Sequence, residues 1–181
     1  MFEVPQWLTL GAGAMAFFLG LVSVFCSVMV YVDTKREFWS MWKTLGRFVG
    51  SSLVGAFAVL SFSELVSVGT VSAWLSVGML VSILFKAVVE ASLILPARED
   101  AWSFSKKSGM IQLYSLRKTL SIRWAAFAVA AVAAMFATLV PALGALILPA
   151  VILGELLERC IFFQAVVTLK MPGELSRIQA H

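Results

Sequence analysis

Apolar residues are grouped along this chain in long blocks that polar segments separate. The blocks occupy residues 7–32, 45–66, 71–95, 124–140 and 143–169. Each block reaches or approaches the length of about 20 apolar residues that a helix needs to cross the hydrocarbon core of a bilayer. The pattern therefore predicts an all-α integral membrane helix bundle with about five transmembrane helices, forming a single transmembrane domain over residues 1–181.

The composition supports the same class. Of the 181 residues, 61% are hydrophobic and 13% are charged, and the mean hydropathy is +0.96. Soluble domains are about 45–50% apolar and about 25% charged. The formal net charge of +4 reflects charges in the loops of such a protein. Because no basic run is interleaved with aromatic residues, we expect no nucleic-acid partner.

Cysteine and histidine usage excludes several kinds of redox centre. Cys26 and Cys160 lie in separate apolar blocks, form no CxxC pair and cannot supply four ligands to an iron–sulfur cluster. The only histidine, His181, leaves no pair of histidines to hold a haem between helices. Neither a P-loop nor a GxGxxG motif is present. We expect no metal and no haem in this chain.

The first apolar block has none of the features of a cleaved leader. The residues before it include Glu3 and carry no positive charge, and no clear small-residue cleavage site follows the block. We therefore predict a membrane helix that the protein retains. In the second block Gly50, Ser51, Ser52 and Gly55 make one side small, which favours close packing against another helix.

Three charged residues interrupt the last apolar block. A charge near the bilayer centre costs roughly 2.5–3.5 kcal/mol on insertion scales, so such groups face protein or water, or pair. Glu155 and Arg159 are four residues apart, share one helix face and can pair. Glu158 points elsewhere and needs another partner or a proton. Two interpretations stay open: a polar seam that serves a ligand or docks a subunit, and a purely structural ion pair.

The third apolar block also carries two charges on one helix face, Lys86 and Glu90. In one interpretation Lys86 extends toward the membrane interface near the basic loop that follows. In the other, this pair meets Glu155, Glu158 and Arg159 across the bundle. The resulting intramembrane polar cluster would suit proton uptake or a quinone head group.

The polar segments hold most of the basic residues. The first, which continues into the start of the second block, contains Arg36, Trp39 and Arg47, a pattern typical of an aromatic belt at the membrane interface or of a contact surface for a peripheral partner. In the segment 97–123, leucines recur at helical spacing beside Arg117 and Lys118. This predicts a short amphipathic helix in the interface, either a connector or a docking site for an acidic partner. The positive-inside rule places the basic side in the cytoplasm and the N-terminus outside.

Two motifs resemble the membrane anchor subunit family of bacterial dimethyl sulfoxide reductase. The likeness runs over most of the chain. The first motif comprises Cys26-Ser-Val-Met-Val-Tyr31, Thr34, Arg36, Trp39, Thr44 and Arg47-Phe48. The second, more specific motif comprises Gly154-Glu155-Leu-Leu-Glu-Arg159, Phe162, Phe163 and Met171-Pro-Gly173.

The resemblance implies a multi-pass subunit in a bacterial inner membrane. It would hold an iron–sulfur subunit and a molybdopterin catalytic subunit, and pass electrons from menaquinol in anaerobic respiration. Menaquinol would be a diffusible donor, and the chain itself would bind no cofactor and contain no catalytic residue for the terminal substrate. We assign Lys86, Glu90, Glu155 and Arg159 to the quinol side. Arg36, Trp39 and Arg47 are the expected partner interface.

The chain departs from that family in two respects. It resembles the C-terminal part only, and the N-terminal part carries in the family a histidine associated with the quinol site. The charge bias also points the basic loops to the cytoplasm, whereas the corresponding loops of dimethyl sulfoxide reductase face the periplasm. Two other classes remain as alternatives: a small polytopic transporter component, whose charged pairs would line a substrate path, and a structural assembly protein.

Overall fold

The computed structural model describes residues 5–35, 39–98 and 104–165, and these residues form helices and short connections without a strand. Six α-helices follow one another along the chain: α1 (Gln6–Val32), α2 (Met41–Val68), α3 (Ala73–Ile94), α4 (Phe104–Met110), α5 (Arg117–Phe136) and α6 (Gly144–Gln164). Leu95–Arg98 and Pro141–Leu143 are 3₁₀ turns, and Ile111–Ser115 is a π-helical turn. The predicted all-α membrane bundle is confirmed.

Four of the helices in the described part of the chain are long and apolar enough to cross a membrane, namely α1, α2, α3 and α5. The last predicted span corresponds to α6. This helix has 21 residues, about 30 Å at 1.5 Å per residue, but three of its side chains are charged. Judged by length and composition alone, the fold is that of a multi-pass membrane protein.

The turn between α2 and α3 is closed by a backbone cap and a side-chain brace. Gly69 has φ +82°, a left-handed conformation that glycine adopts without strain, and its N–H donates to the carbonyl of Leu65. The carboxylate of Glu64 accepts hydrogen bonds from the hydroxyl of Ser72 and, at 2.8 Å, from its backbone N–H. The short connection makes α2 and α3 an antiparallel pair.

The region before α5 differs from the prediction of a separate interfacial helix. α5 begins at Arg117, so Arg117, Lys118 and Leu120 belong to the long helix itself. Leu120 is buried, and Leu113 and Leu116 pack against the same apolar cluster. The basic residues favoured an interfacial position for this segment, but the leucines have enough apolar surface to pack on the bundle.

Three layers follow one another along the bundle axis. At the end where α2 meets α3 and α5 meets α6, the core is apolar and includes Leu75, Met79 and Ile147. At the opposite end a second apolar cluster contains Trp39, Leu93, Leu120, Ile161 and Phe162. The buried charged side chains lie between these two layers.

Helix α1 packs on this bundle mainly through its last turns. Val28 is its only buried side chain, and Tyr31 contacts the second apolar cluster. Residues 6–23 of the helix are exposed and strongly apolar, which suits contact with lipid.

A buried ion cluster as the candidate functional site

Four helices bring charged side chains to one depth of the bundle. Arg47 and Arg123 each stand six residues after the start of their helices, α2 and α5, and Glu158 stands six residues before the end of α6. Six residues correspond to roughly 9 Å along a helix axis. Because α2 and α5 begin at the end where α3 and α6 finish, these side chains meet inside the bundle, beside Lys86 and Glu90 of α3.

Lys86 connects α3 with α6. Its ammonium group contacts Oε1 of Glu155 and lies 2.5 Å from Oε2 of Glu158. It also donates a hydrogen bond to the hydroxyl of Ser51 on α2 at 3.0 Å. The hypothesis that Lys86 meets the glutamates of the last span is therefore confirmed, and the lysine does not extend to the interface.

Arg123 connects α3, α5 and α6. Its Nη1 lies 2.9 Å from Oε2 of Glu90, and its Nη2 donates to Oε2 of Glu158 at 3.2 Å. On the other side of Glu90, Nη2 of Arg47 lies 3.7 Å from the same oxygen. Glu158, which the sequence left without an assigned partner, is thus paired with both Lys86 and Arg123.

The cluster contains as many cations as carboxylates: Arg47, Lys86 and Arg123 against Glu90, Glu155 and Glu158. Glu155 is 20% exposed, and the other five side chains are at most 3% exposed. Buried charges are tolerated when they are paired and hydrogen-bonded. The balance of charges explains why these side chains persist in apolar helices.

Aromatic rings cover the cluster on the side of the basic loops. Tyr31 packs edge-to-face against Phe162 and Trp39, with ring centroids 5.0 and 5.2 Å apart, and Trp39 stacks on Phe162 at 5.5 Å. The guanidinium of Arg47 lies 5.4 Å from the centre of the Phe162 ring. This wall joins residues from both motifs on which the family resemblance is based.

Two of the three residues that we expected at a partner interface are buried inside the bundle. Trp39 is 9% exposed and Arg47 is 2% exposed, so neither presents its side chain on the bundle surface. Arg47 was assigned to a basic interfacial loop, but it lies inside α2, where Glu90 balances its charge. Arg36 lies outside the described residues.

Arg159 is near the cluster but is not paired with Glu155 as its spacing predicted. Its guanidinium lies over the Phe48 ring, 4.4 Å from the centroid, a cation–π arrangement. Glu155 pairs instead with Lys86 across the helix interface. Intrahelical spacing permits a pair, but a cation on the facing helix is closer.

Sequence reasoning missed Arg123 and placed Arg47 at the surface. Both follow polar segments rich in basic residues, so they were read as loop charges. The sequence feature that identifies them is their position along their helices. Counted from the basic end, Arg47 and Arg123 stand at about the same distance inside their helices as Glu158 does in α6.

A cleft of about 300 Å³ borders the cluster between α3 and α5, and it opens on the outside of the bundle. Its lining residues are Ala87, Glu90, Ala91, Ile94, Leu95 and Trp124. Glu90 is the only member of the cluster in this lining. Across residues 5–35, 39–98 and 104–165, no group of three or more His, Cys, Asp or Glu side chains is arranged to hold a metal ion.

The fold and the site together define a class: a membrane-type helix bundle with a charge-balanced ion cluster in its interior. The chain matches no protein-family profile, no curated protein and no solved structure.

Proposed function

We propose that this chain is the membrane anchor and quinol-side subunit of a molybdopterin oxidoreductase similar to dimethyl sulfoxide reductase. In this role it tethers an iron–sulfur subunit and a catalytic subunit to a bacterial inner membrane. Electrons from menaquinol pass to the iron–sulfur subunit, and the terminal substrate does not contact the anchor.

The observation that carries the proposal is the convergence of the two resemblance motifs. Tyr31, Trp39 and Arg47 come from the first motif, and Phe162 comes from the second, more than a hundred residues further along the chain. In the folded protein Phe162 contacts all three residues of the first motif, in a single wall beside the buried charges. Motif residues that are distant in sequence and adjacent in space support one shared role.

The chemistry of the cluster suits that role. Oxidation of a quinol releases two electrons and two protons. Glu90, Glu155 and Glu158 place three carboxylates inside the bundle, and each contacts a cation that stabilises its charge. Intramembrane ionisable residues of this kind are characteristic of proton relays. In this role the chain would transfer electrons directly from quinol to an iron–sulfur cluster in its partner.

The first test is isolation of the tagged chain from native membranes with mild detergent. The proposal predicts co-purification of an iron–sulfur protein and a molybdopterin protein, and oxidation of a reduced naphthoquinol by that complex. Isolation of the chain without either partner, in membranes that contain both, would count against an anchor role.

The second test distinguishes a role of the ion cluster in quinol oxidation from a role in partner binding. The double substitution Lys86→Met with Glu155→Gln removes one cation and one carboxylate, so the cluster stays neutral. We expect at least a tenfold fall in quinol oxidation, about 1.4 kcal/mol in barrier height, with the partners still bound. Leu156→Ala, on the exposed side of the same helix, is the matched control. Unchanged oxidation in the double variant would contradict the assigned role of the cluster.

A further inference from the structure

We propose that the cleft between α3 and α5 binds a neutral, largely apolar molecule that carries a hydroxyl group, and that Glu90 accepts the hydrogen of that hydroxyl. The site differs from the wall of aromatic residues, which lies on the side of α1, α2 and α6. It does not require the proposed redox role, although a quinol is one molecule of this class.

The first argument is the incomplete hydrogen bonding of Glu90. Its Oε2 faces both Arg123, at 2.9 Å, and Arg47, at 3.7 Å. Its Oε1 is buried and has no hydrogen-bond partner in the described part of the chain. Buried polar atoms are nearly always hydrogen-bonded, by protein, water or ligand. A carboxylate that borders a cleft and has a free acceptor atom therefore favours a ligand with a donor.

The second argument is charge. The cluster already balances its cations with an equal number of carboxylates. A charged ligand in the cleft would leave a net charge in a medium of low dielectric constant, which is strongly unfavourable. A hydroxyl group supplies the missing hydrogen bond and adds no charge. The geometry thus selects a neutral donor over an amine or an acid.

The third argument is the shape and lining of the cleft. Apart from Glu90 the lining is apolar, with two alanines that leave space and the ring of Trp124 on the α5 side. About 300 Å³ lies at the lower end of the usual volume of small-molecule sites, enough for a fused pair of rings. Ala91 and Leu95 on its wall are exposed, so the ligand enters from the side of the bundle, which is the bilayer side.

The test uses two probes that differ by one donor, 1-naphthol and 1-methoxynaphthalene. Each is titrated into the full chain in detergent micelles by calorimetry, with empty micelles subtracted. We expect saturable binding of 1-naphthol and about tenfold weaker binding of the methyl ether, because the ether leaves Oε1 of Glu90 unpaired. Equal affinities for the two probes would overturn the proposal. Neither probe is a quinol, so the result is independent of electron transfer.

Two variants locate the binding. Ala91→Phe and Ala87→Leu fill the cleft without changing a charged residue, and each is expected to weaken 1-naphthol binding at least about tenfold by excluding it from the cleft. Ala125→Phe is the control, since Ala125 is exposed on α5 beside Trp124 but outside the cleft lining. Full affinity in both cleft-filling variants, with helicity unchanged by circular dichroism, would exclude this cleft as the site.

Discussion

Arg123, which the sequence analysis did not single out, links three helices of the bundle, as Lys86 does. Its side chain is fully buried and contacts the carboxylates of Glu90 and Glu158, which stand on different helices. A planar guanidinium with several donors can serve two carboxylates at once, which an ammonium group does less well. Removal of its charge would leave two buried carboxylates facing fewer cations.

We predict that Arg123→Met lowers the free energy of unfolding by about 3–5 kcal/mol, the range for breaking a buried ion pair by removing one partner. The measurement is denaturant unfolding in mixed micelles. Arg117→Met is the control, because Arg117 is exposed on the same helix and should change stability little. In a double-mutant cycle, Glu90→Gln should lower the free energy of unfolding less in the Arg123→Met variant than in the unsubstituted protein. Strictly additive losses would contradict the coupling.

At the scale of the helices, the tightest contact at a described glycine lies between α3 and α2, at Gly78. A β-carbon at Gly78 would overlap the ring of Phe57, with the Phe57 Cζ atom only 2.5 Å away. Gly50, on the predicted small face of α2, has ordinary contacts with Lys86 and Phe85 at 3.5 and 3.6 Å, and Gly55 has no neighbour within 4 Å. The prediction that the small residues of α2 favour close packing named no partner helix, and the tightest glycine contact is at Gly78 of α3.

We predict that Gly78→Ala destabilises the bundle by about 1–3 kcal/mol through overpacking, which exceeds the helix-propensity gain of up to about 1 kcal/mol. Gly55→Ala is the matched control, with the same chemical change in open space, and should be neutral or stabilising. Thermal unfolding of both variants in detergent checks the sign. Equal effects at the two positions would show that propensity outweighs packing. Recovery of the lost stability when Phe57→Leu is added to the Gly78→Ala variant would confirm the contact.

The positions of the long helices were largely predictable, because each long helix coincides with a long run of apolar residues. Pro96 follows the end of α3, and Pro141 opens the turn before α6. Pro149 lies inside α6, which begins at Gly144. The start of α5 was predicted seven residues too late, at 124, because Arg123 was counted as a loop charge. Hydropathy cannot recognise a buried charge whose partner is on another helix.

At the scale of the whole molecule, the basic connections lie at one end of the bundle. The α1–α2 connection and the segment that leads into α5 lie at the end near the ion cluster, and the α2–α3 and α5–α6 turns lie at the other. The contacts within the site could not be read from the sequence, because they depend on which helices are neighbours. Only the presence of charges in apolar spans was evident beforehand.

We predict that single cysteines at Lys35 and Lys107 are labelled from one side of membrane vesicles, and cysteines at Thr70 and Leu139 from the other. The reason is that each pair of positions lies at one end of the bundle. The background carries Cys26→Ala and Cys160→Ala, and an impermeant maleimide is the reagent. Labelling of Lys35 and Lys107 from opposite sides would contradict this arrangement.

The equal numbers of opposite charges in the bundle interior have a consequence for divergence among related chains. A change at position 90 alone removes one of the two carboxylates that Arg123 contacts, and a change at position 123 alone removes a cation from both Glu90 and Glu158. Substitutions at these sites in related chains should therefore be paired. The residues at positions 90 and 123, or at positions 86 and 155, should exchange their charges together or become neutral together. Covariation between these columns would be the evolutionary record of the electroneutral interior.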